Sequence, residues 1–258
     1  MDGRIVAEPI GEVWPGFARG PVYLVGRDFA GSVALVGRTL AGWLGRDVAF
    51  LELDQSPSSS FPLADATMVV LERPPSCGCG NPLCGSTLSR VGCPLLVVPA
   101  QLPHDWPGNG PILAPLDGSD DAAVGATVAR ELAACGSRGL EVLHVAIPDA
   151  APTGAVPFPR LWDQAHHEWR AWHNAFLSRF CACAHGQTPL LVRSGAPDGK
   201  ILEVACERHV ALIVLAWHGV LTAGRARTLA GVIAGADRPI LLVGFTGTRN
   251  EPFNACGS

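Results

Sequence analysis

Short apolar runs recur along the chain with little polar alternation. They are Val22–Val25, Val48–Leu53, Thr67–Leu71, Leu95–Val98, Ile112–Leu116, Leu140–Val145, Leu190–Val192, Ala211–Ala216 and Ile240–Val243. Most are rich in Val, Ile and Leu. Strands of a parallel sheet covered on both faces read this way. Helical patterns lie between them. Asp120–Cys135 sets Val124, Val128, Leu132 and Cys135 on one stripe, with acids in the first turn and Gly136 as a stop. Asp198 is placed to cap a helix that turns Ile201, Val204 and Ala205 inward. Trp162–Phe180 reads as a longer amphipathic helix. Strands alternating with helices predict a doubly wound α/β fold.

The runs repeat in order. Gly20-Pro21-Val22-Tyr23-Leu24-Val25 resembles Gly110-Pro111-Ile112-Leu113-Ala114-Pro115. Asp47–Leu51 resembles Gly139–Leu143, Ala64–Leu71 resembles His209–Leu215, and Cys93–Val98 resembles Arg238–Val243. The chain therefore reads as two α/β units, 1–100 and 111–246, joined by the Pro/Gly-rich linker 101–110 and followed by a tail, 247–258. Between its second and last runs the second unit has about ninety positions and the first roughly forty. The first unit is short by one helix–strand–helix segment.

Composition narrows the class. Of 258 residues, 48% are hydrophobic and 16% charged, enough for a buried core and against disorder. The net charge of −4 gives no reason to expect nucleic acid or an anionic membrane as partner. Met1–Arg4 leads into no secretory segment, and Arg27 and Asp28 interrupt the early apolar stretch. A cytoplasmic location is expected. The nine cysteines are an odd set in probable core and loop positions, so reduced thiols are expected.

Ile112-Leu113-Ala114-Pro115-Leu116-Asp117-Gly118-Ser119 resembles the first strand and turn of the universal stress protein family. Leu143-His144-Val145 resembles its second strand. Ile201–Ala205 followed by Ala211–Leu215 resembles its third helix and fourth strand, and Pro239–Val243 its last strand. The likeness is good over about 110–245 and faint over 20–100.

The resemblance implies two Rossmann-like units that meet as an intramolecular pseudo-dimer. Family members often dimerise through their last strands, and here Leu95–Val98 and Ile240–Val243 can meet within one chain. It also implies ATP at the carboxyl ends of the strands. Asp117 would contact the adenine, with Gly118, Ser119 and Val145 beside it. The family cradles the phosphates with Gly-x-x-Gly, nine residues, then Gly-Ser or Gly-Thr, because bare glycines let backbone N–H groups approach. Here the loop runs Ala216-Trp217-His218-Gly219, then reaches Gly224, Arg225 and Arg227 about three residues early. Ala216 replaces the first glycine. Arg225 or Arg227 stands at the hydroxyl position, where a guanidinium would pair with phosphate, or would be solvated or paired with Asp237. In the first unit Arg27 or Asp28 fills the adenine position, and only Gly85-Ser86 matches the family loop. That unit is expected to be a structural partner.

Other constellations are weaker. Cys77, Cys79, Cys84 and Cys93 form C-x-C-x4-C-x8-C, a candidate zinc knuckle or redox loop set against free thiols, with Cys93 in the core. His166, Arg170 and His173 share a helix face, with His167 beside them; Trp162, Trp169, Trp172 and Phe176 form an ordinary core stripe. No nucleophile elbow, Walker loop or dinucleotide fingerprint occurs, and no base for an attacking water can be placed. Three functions stay open: an adenine-nucleotide-binding stress protein, a non-nucleotide docking module with an unknown protein partner, and a metal- or redox-sensing variant.

Overall fold

A computed structural model describes residues 17–26, 31–52, 65–73, 93–146, 166–180, 188–217 and 227–244. Each of the nine apolar runs is a strand whose ends lie within two residues of the sequence reading. The first half holds β1 (Val22–Gly26), α1 (Gly31–Leu44), β2 (Val48–Glu52), β3 (Met68–Glu72) and β4 (Leu95–Val98). The second holds β5 (Ile112–Leu116), α2 (Asp120–Gly136), β6 (Leu140–Ala146), α3 (His166–Phe180), β7 (Leu190–Ser194), α4 (Pro197–Glu207), β8 (Leu212–Trp217), α5 (Arg227–Gly235) and β9 (Ile240–Gly244).

The strands form one sheet in the order β2-β1-β3-β4-β9-β8-β5-β6-β7. All pairings are parallel except β4 with β9, which is antiparallel, with Leu96 opposite Leu241. The two last strands therefore cover each other's edges inside one chain, which removes two apolar edges open to aggregation.

The halves share more than strand order. Pro21 accepts from Thr67 N–H at 3.1 Å as Pro111 does from Ala211 N–H at 2.9 Å. Val22 N–H donates to Asp47, and Ile112 N–H to Gly139, both at 2.8 Å. Val69 donates to Pro94 and Ile213 to Pro239, both at 3.0 Å. The first unit has the first, second, fourth and fifth strands of this plan. Nothing among its described residues corresponds to α3, β7 and α4.

The core has two layers, one on each face of the sheet. On one face α1, α2 and α3 bury Val36, Leu40, Val128, Leu132 and Phe176 against Leu24, Leu96, Ala114 and Leu241. On the other, α4 and α5 bury Ile201, Val204, Val232 and Ile233 against Leu113, Leu143, Ile213 and Leu242. Side chains also tie the halves. The Arg138 guanidinium lies 5.6 Å from the Trp43 ring centroid. A Cβ at Gly136 would come within 2.9 Å of that ring, so the close approach of α1 to α2 requires glycine there. Arg73 Nη1 donates to the carbonyls of Ile233, Ala234 and Ala236 at 3.1, 3.1 and 2.7 Å. A cation from the first half thus meets the negative end of α5. The connecting stretch is also anchored: Trp106 Nε1 donates to the Ala211 carbonyl at 3.0 Å and Arg138 Nη1 to the Asn109 carbonyl at 3.1 Å.

Three local expectations need correction. Gly136 is the last residue of α2, and the left-handed cap is Ser137, which adopts φ 53° and ψ 47° and whose N–H meets the Ala133 and Ala134 carbonyls. Cys135 is exposed; Ala126, Ala129 and Ala133 are buried beside Val128 and Leu132. The cap of α4 is Ala196, without a side-chain bond, and Pro197 starts the helix; Asp198 lies inside the first turn. Asp237 has Arg238 Nε at 3.7 Å, and Arg225 of the shortened loop lies outside the described residues.

Candidate functional site

Strand β5 is where the second unit's winding reverses. Its neighbours are β6, leading to β7, and β8, leading to β9. The carboxyl end of such a strand borders a crevice, because the following loops diverge in opposite directions. Asp117 is the first residue beyond β5 and is exposed. Its Oδ1 accepts from Ser119 N–H at 2.9 Å and from Ser119 Oγ at 2.6 Å. Ser119 Oγ in turn accepts from Ala122 N–H at 3.2 Å and caps α2. Gly118 between them has φ +90°, a conformation that suits glycine. The three residues form one rigid turn that fixes Asp117 at the N-terminal end of a helix.

The neighbouring strand ends close around this turn. His144 on β6 meets the Leu116 carbonyl through Nδ1 at 2.9 Å, and because a carbonyl only accepts, Nδ1 carries the proton. Trp172 and Phe176 lie against the imidazole, with centroids 6.0 and 5.1 Å away. Burial lowers the His144 pKa, opposed by the Leu116 bond and the Asp117 charge. Phe176 also lies 3.7 Å from where a Gly118 Cβ would stand. Val145 faces the other way and packs on the α4–α5 layer. On β8, a Cβ built at Gly125 of α2 would lie 3.0 Å from Ala216 N and 3.6 Å from the Ala216 methyl. A side chain at residue 125 would therefore crowd the Ala216 that stands for the family's first glycine.

The structure thus brings Asp117, Gly118 and Ser119 together and sets Val145 and Ala216 on adjoining strand ends. Arg227 is exposed at the first residue of α5. Gly219, Gly224 and Arg225 lie outside the described residues, as do Arg27, Asp28, Gly85 and Ser86. His144 with its aromatic cover was missed as part of this site. The signal was present: a histidine late in a strand run, and Trp172, Phe176 and Phe180 at four-residue spacing. Of the helical histidines, His173 is half-buried, with Nδ1 3.4 Å from Asn174 Oδ1. The side chains of Trp162, His166, His167, Trp169 and Arg170 lie outside the described residues.

Of the four cysteines in the candidate knuckle, Cys77, Cys79 and Cys84 lie outside the described residues. Cys93 packs against the core beneath α4 and α5, and burial pushes its thiol up to about 11. Only the thiolate is nucleophilic, so Cys93 should react far more slowly with a thiol-selective reagent at pH 8 than exposed Cys135 and Cys206. Residue-resolved alkylation rates measure this; equal rates for all three would contradict the burial argument. Among the described residues no group of three His, Cys, Asp or Glu side chains could hold a metal. No helix among them is long and apolar enough to cross a membrane.

A family model described as "Universal stress protein family" matches residues 108–244. The chain is similar in fold to a universal stress protein from Archaeoglobus fulgidus DSM 4304, with a TM-score of 0.54, 12% identity, and coverage of 86% of this chain and 96% of that one. A functionally unknown protein from Pseudomonas aeruginosa PAO1 matches with a TM-score of 0.50 and 16% identity, over 87% of this chain and 82% of that one. No curated protein matches the chain. The winding of the second half, the turn at Asp117 and the extent of the family match agree: this chain belongs to the universal stress protein family.

Proposed function

We propose that the second unit binds an adenine nucleotide at the carboxyl ends of β5, β6 and β8, and that the chain serves as a cytoplasmic nucleotide-sensing protein of the stress response. One observation carries this reading: Asp117 is exposed at the switch point and clamped through one oxygen, Oδ1, by Ser119. Its Oδ2 takes no hydrogen bond among the described residues and is the oxygen assigned to the base edge. Backbone N–H groups at the start of α2 add positive potential beside it. In this reading Val145 lines the base, while Gly219, Gly224, Arg225 and Arg227 hold the phosphates; the arginines replace glycine N–H donors with charge-assisted bonds. ATP is the assigned ligand, and the first unit supports the second without a nucleotide of its own.

Asp117→Ala should weaken ATP by about 1–3 kcal/mol in a calorimetric titration, the worth of a hydrogen bond to a charged group. Ser119→Ala removes the α2 cap and the Oγ bond to Asp117 Oδ1 but keeps the carboxylate and the residue 119 N–H bond to it, so its loss should be smaller than that of Asp117→Ala. Unchanged affinity in Asp117→Ala would sink the assignment.

A second reading is a docking module without nucleotide. Its support is that Ala216 replaces a glycine and that Trp172 and Phe176 close over His144 beside the crevice. A zinc or redox role for Cys77, Cys79, Cys84 and Cys93 is the third, and it must overcome the burial that keeps Cys93 protonated.

A further inference from the structure

Helix α5 runs from the crevice to the joint between the halves. It begins at Arg227, after the carboxyl end of β8, and ends at Gly235, before the amino end of β9. At 1.5 Å per residue its nine residues span about 14 Å. So short a helix does not hold itself, and Gly231 and Gly235 weaken it further. Val232 and Ile233 bury its flank in the layer it shares with α4. Its carboxyl end is held from the other half of the chain. The Ile233 and Ala234 carbonyls belong to the last turn and have no partner within the helix. Half-buried Arg73 supplies one through Nη1, which also meets the Ala236 carbonyl. The internal repeat breaks at this position. Met68 pairs with Val22 as Leu212 pairs with Ile112, so Arg73 corresponds to Trp217. Trp217 is 6% exposed, and its Nε1 is buried without a hydrogen bond. The half that carries the Asp117 turn thus receives a guanidinium anchor on its last helix, and its own Trp217 returns no such bond.

We propose that Arg73 is a positioning residue for the nucleotide: by holding the carboxyl end of α5, it lets the first unit set the helix's other end, where Arg227 and the first-turn N–H groups receive the phosphates. This rests on the nucleotide reading above and extends it, because the first unit then acts on the site without touching the ligand. The guanidinium neutralises the negative end of the α5 dipole and leaves the positive end to an anion. Without Arg73 the last turn loses its acceptors' partner and frays, and in a helix of nine residues the first turn is little more than one turn away. The base edge does not share this dependence. Asp117 is fixed by Ser119 at the start of α2, remote from α5 in the chain. Arg73 therefore bears on the phosphates and not on the base.

Calorimetric titration of the full chain with ATP, and with adenosine in competition with ATP, tests this. Arg73→Gln should weaken ATP about tenfold and leave adenosine within about twofold of wild type. Arg73→Lys, which restores the cation with fewer directed donors, should recover part of the loss. Arg138→Ala is the stability control, since it loosens the joint at Trp43 on the opposite face of the sheet. It should lower the melting temperature and keep the ATP-to-adenosine ratio. Equal weakening of both ligands by Arg73→Gln, or unchanged ATP affinity, overturns the proposal and leaves the Asp117 assignment standing. The same ratio change in Arg138→Ala overturns it too. If Arg73→Gln does not fold, Arg73→Lys decides: a loss for ATP alone supports the proposal and parity overturns it. A folded wild type that binds neither ligand removes the nucleotide reading and this proposal together.

Discussion

Leu241→Asp should unfold the whole chain, not the second unit alone. Leu241 is fully buried in β9 and pairs with Leu96, also fully buried, across the only antiparallel contact between described strands. Its other neighbour is Val214 of β8, 1% exposed. An aspartate there loses the leucine's burial and places a carboxylate where no water or cation reaches it. The combined loss is on the order of 5 kcal/mol, comparable with the whole stability of a typical domain. Because the sheet runs unbroken through this pair, damage on β9 also exposes β4. Leu241→Ala, which keeps the site apolar, should cost about 2–5 kcal/mol in urea unfolding and leave one shared transition. Two separate transitions, with first-unit signals unaffected, would show that the halves are energetically independent.

Gly20→Ala and Gly110→Ala should be damaging to a similar degree, although they lie in different halves. A Cβ at Gly20 would stand 1.9 Å from the Asp65 carbonyl oxygen, and one at Gly110 would stand 2.4 Å from that of His209. The obstacle is backbone in both cases, so no side chain can rotate away. The lead-in to β1 or β5 must move off its neighbouring strand, at a cost of about 3 kcal/mol or more. Gly42 and Gly199 provide the contrast. They lie within α1 and α4, with nothing within 4 Å of an added Cβ. Alanine there should be neutral or stabilising by up to about 1 kcal/mol. Thermal midpoints of the four variants decide the matter. Parity between the two pairs would contradict the close-approach argument.

The strands were legible because a sheet covered on both faces demands continuous Val, Ile and Leu, and Ile240–Val243 or Leu95–Val98 has no other use for such a run. The antiparallel joint was legible only through the family resemblance. Hydrophobicity says that β4 and β9 need partners but not that they need each other. Helix α1 was missed. Val33, Val36, Gly37, Leu40 and Ala41 do fall on a helical stripe, but the segment has no acid in its first turn, and Gly31, Gly37 and Gly42 weaken its helical propensity. At the site, Asp117-Gly118-Ser119 was readable because its turn is local, with every bond spanning three residues or fewer. The cover over His144 was not, because Trp172 and Phe176 arrive from a helix about thirty residues downstream. Spacing along the chain carries no information about which strand end such a helix will cross. Helical spacing misplaced Cys135: its position on the apolar stripe suggested burial, while small alanines fill the α2 contact and leave the thiol outside.

Native mass spectrometry of the purified full chain, with and without added ATP, tests the central claim most directly. The account predicts one nucleotide per chain, retained by the wild type and largely lost from Asp117→Ala, with both chains folded. A folded wild type that takes up no adenine nucleotide at any concentration of ATP would contradict it and leave the docking reading in its place.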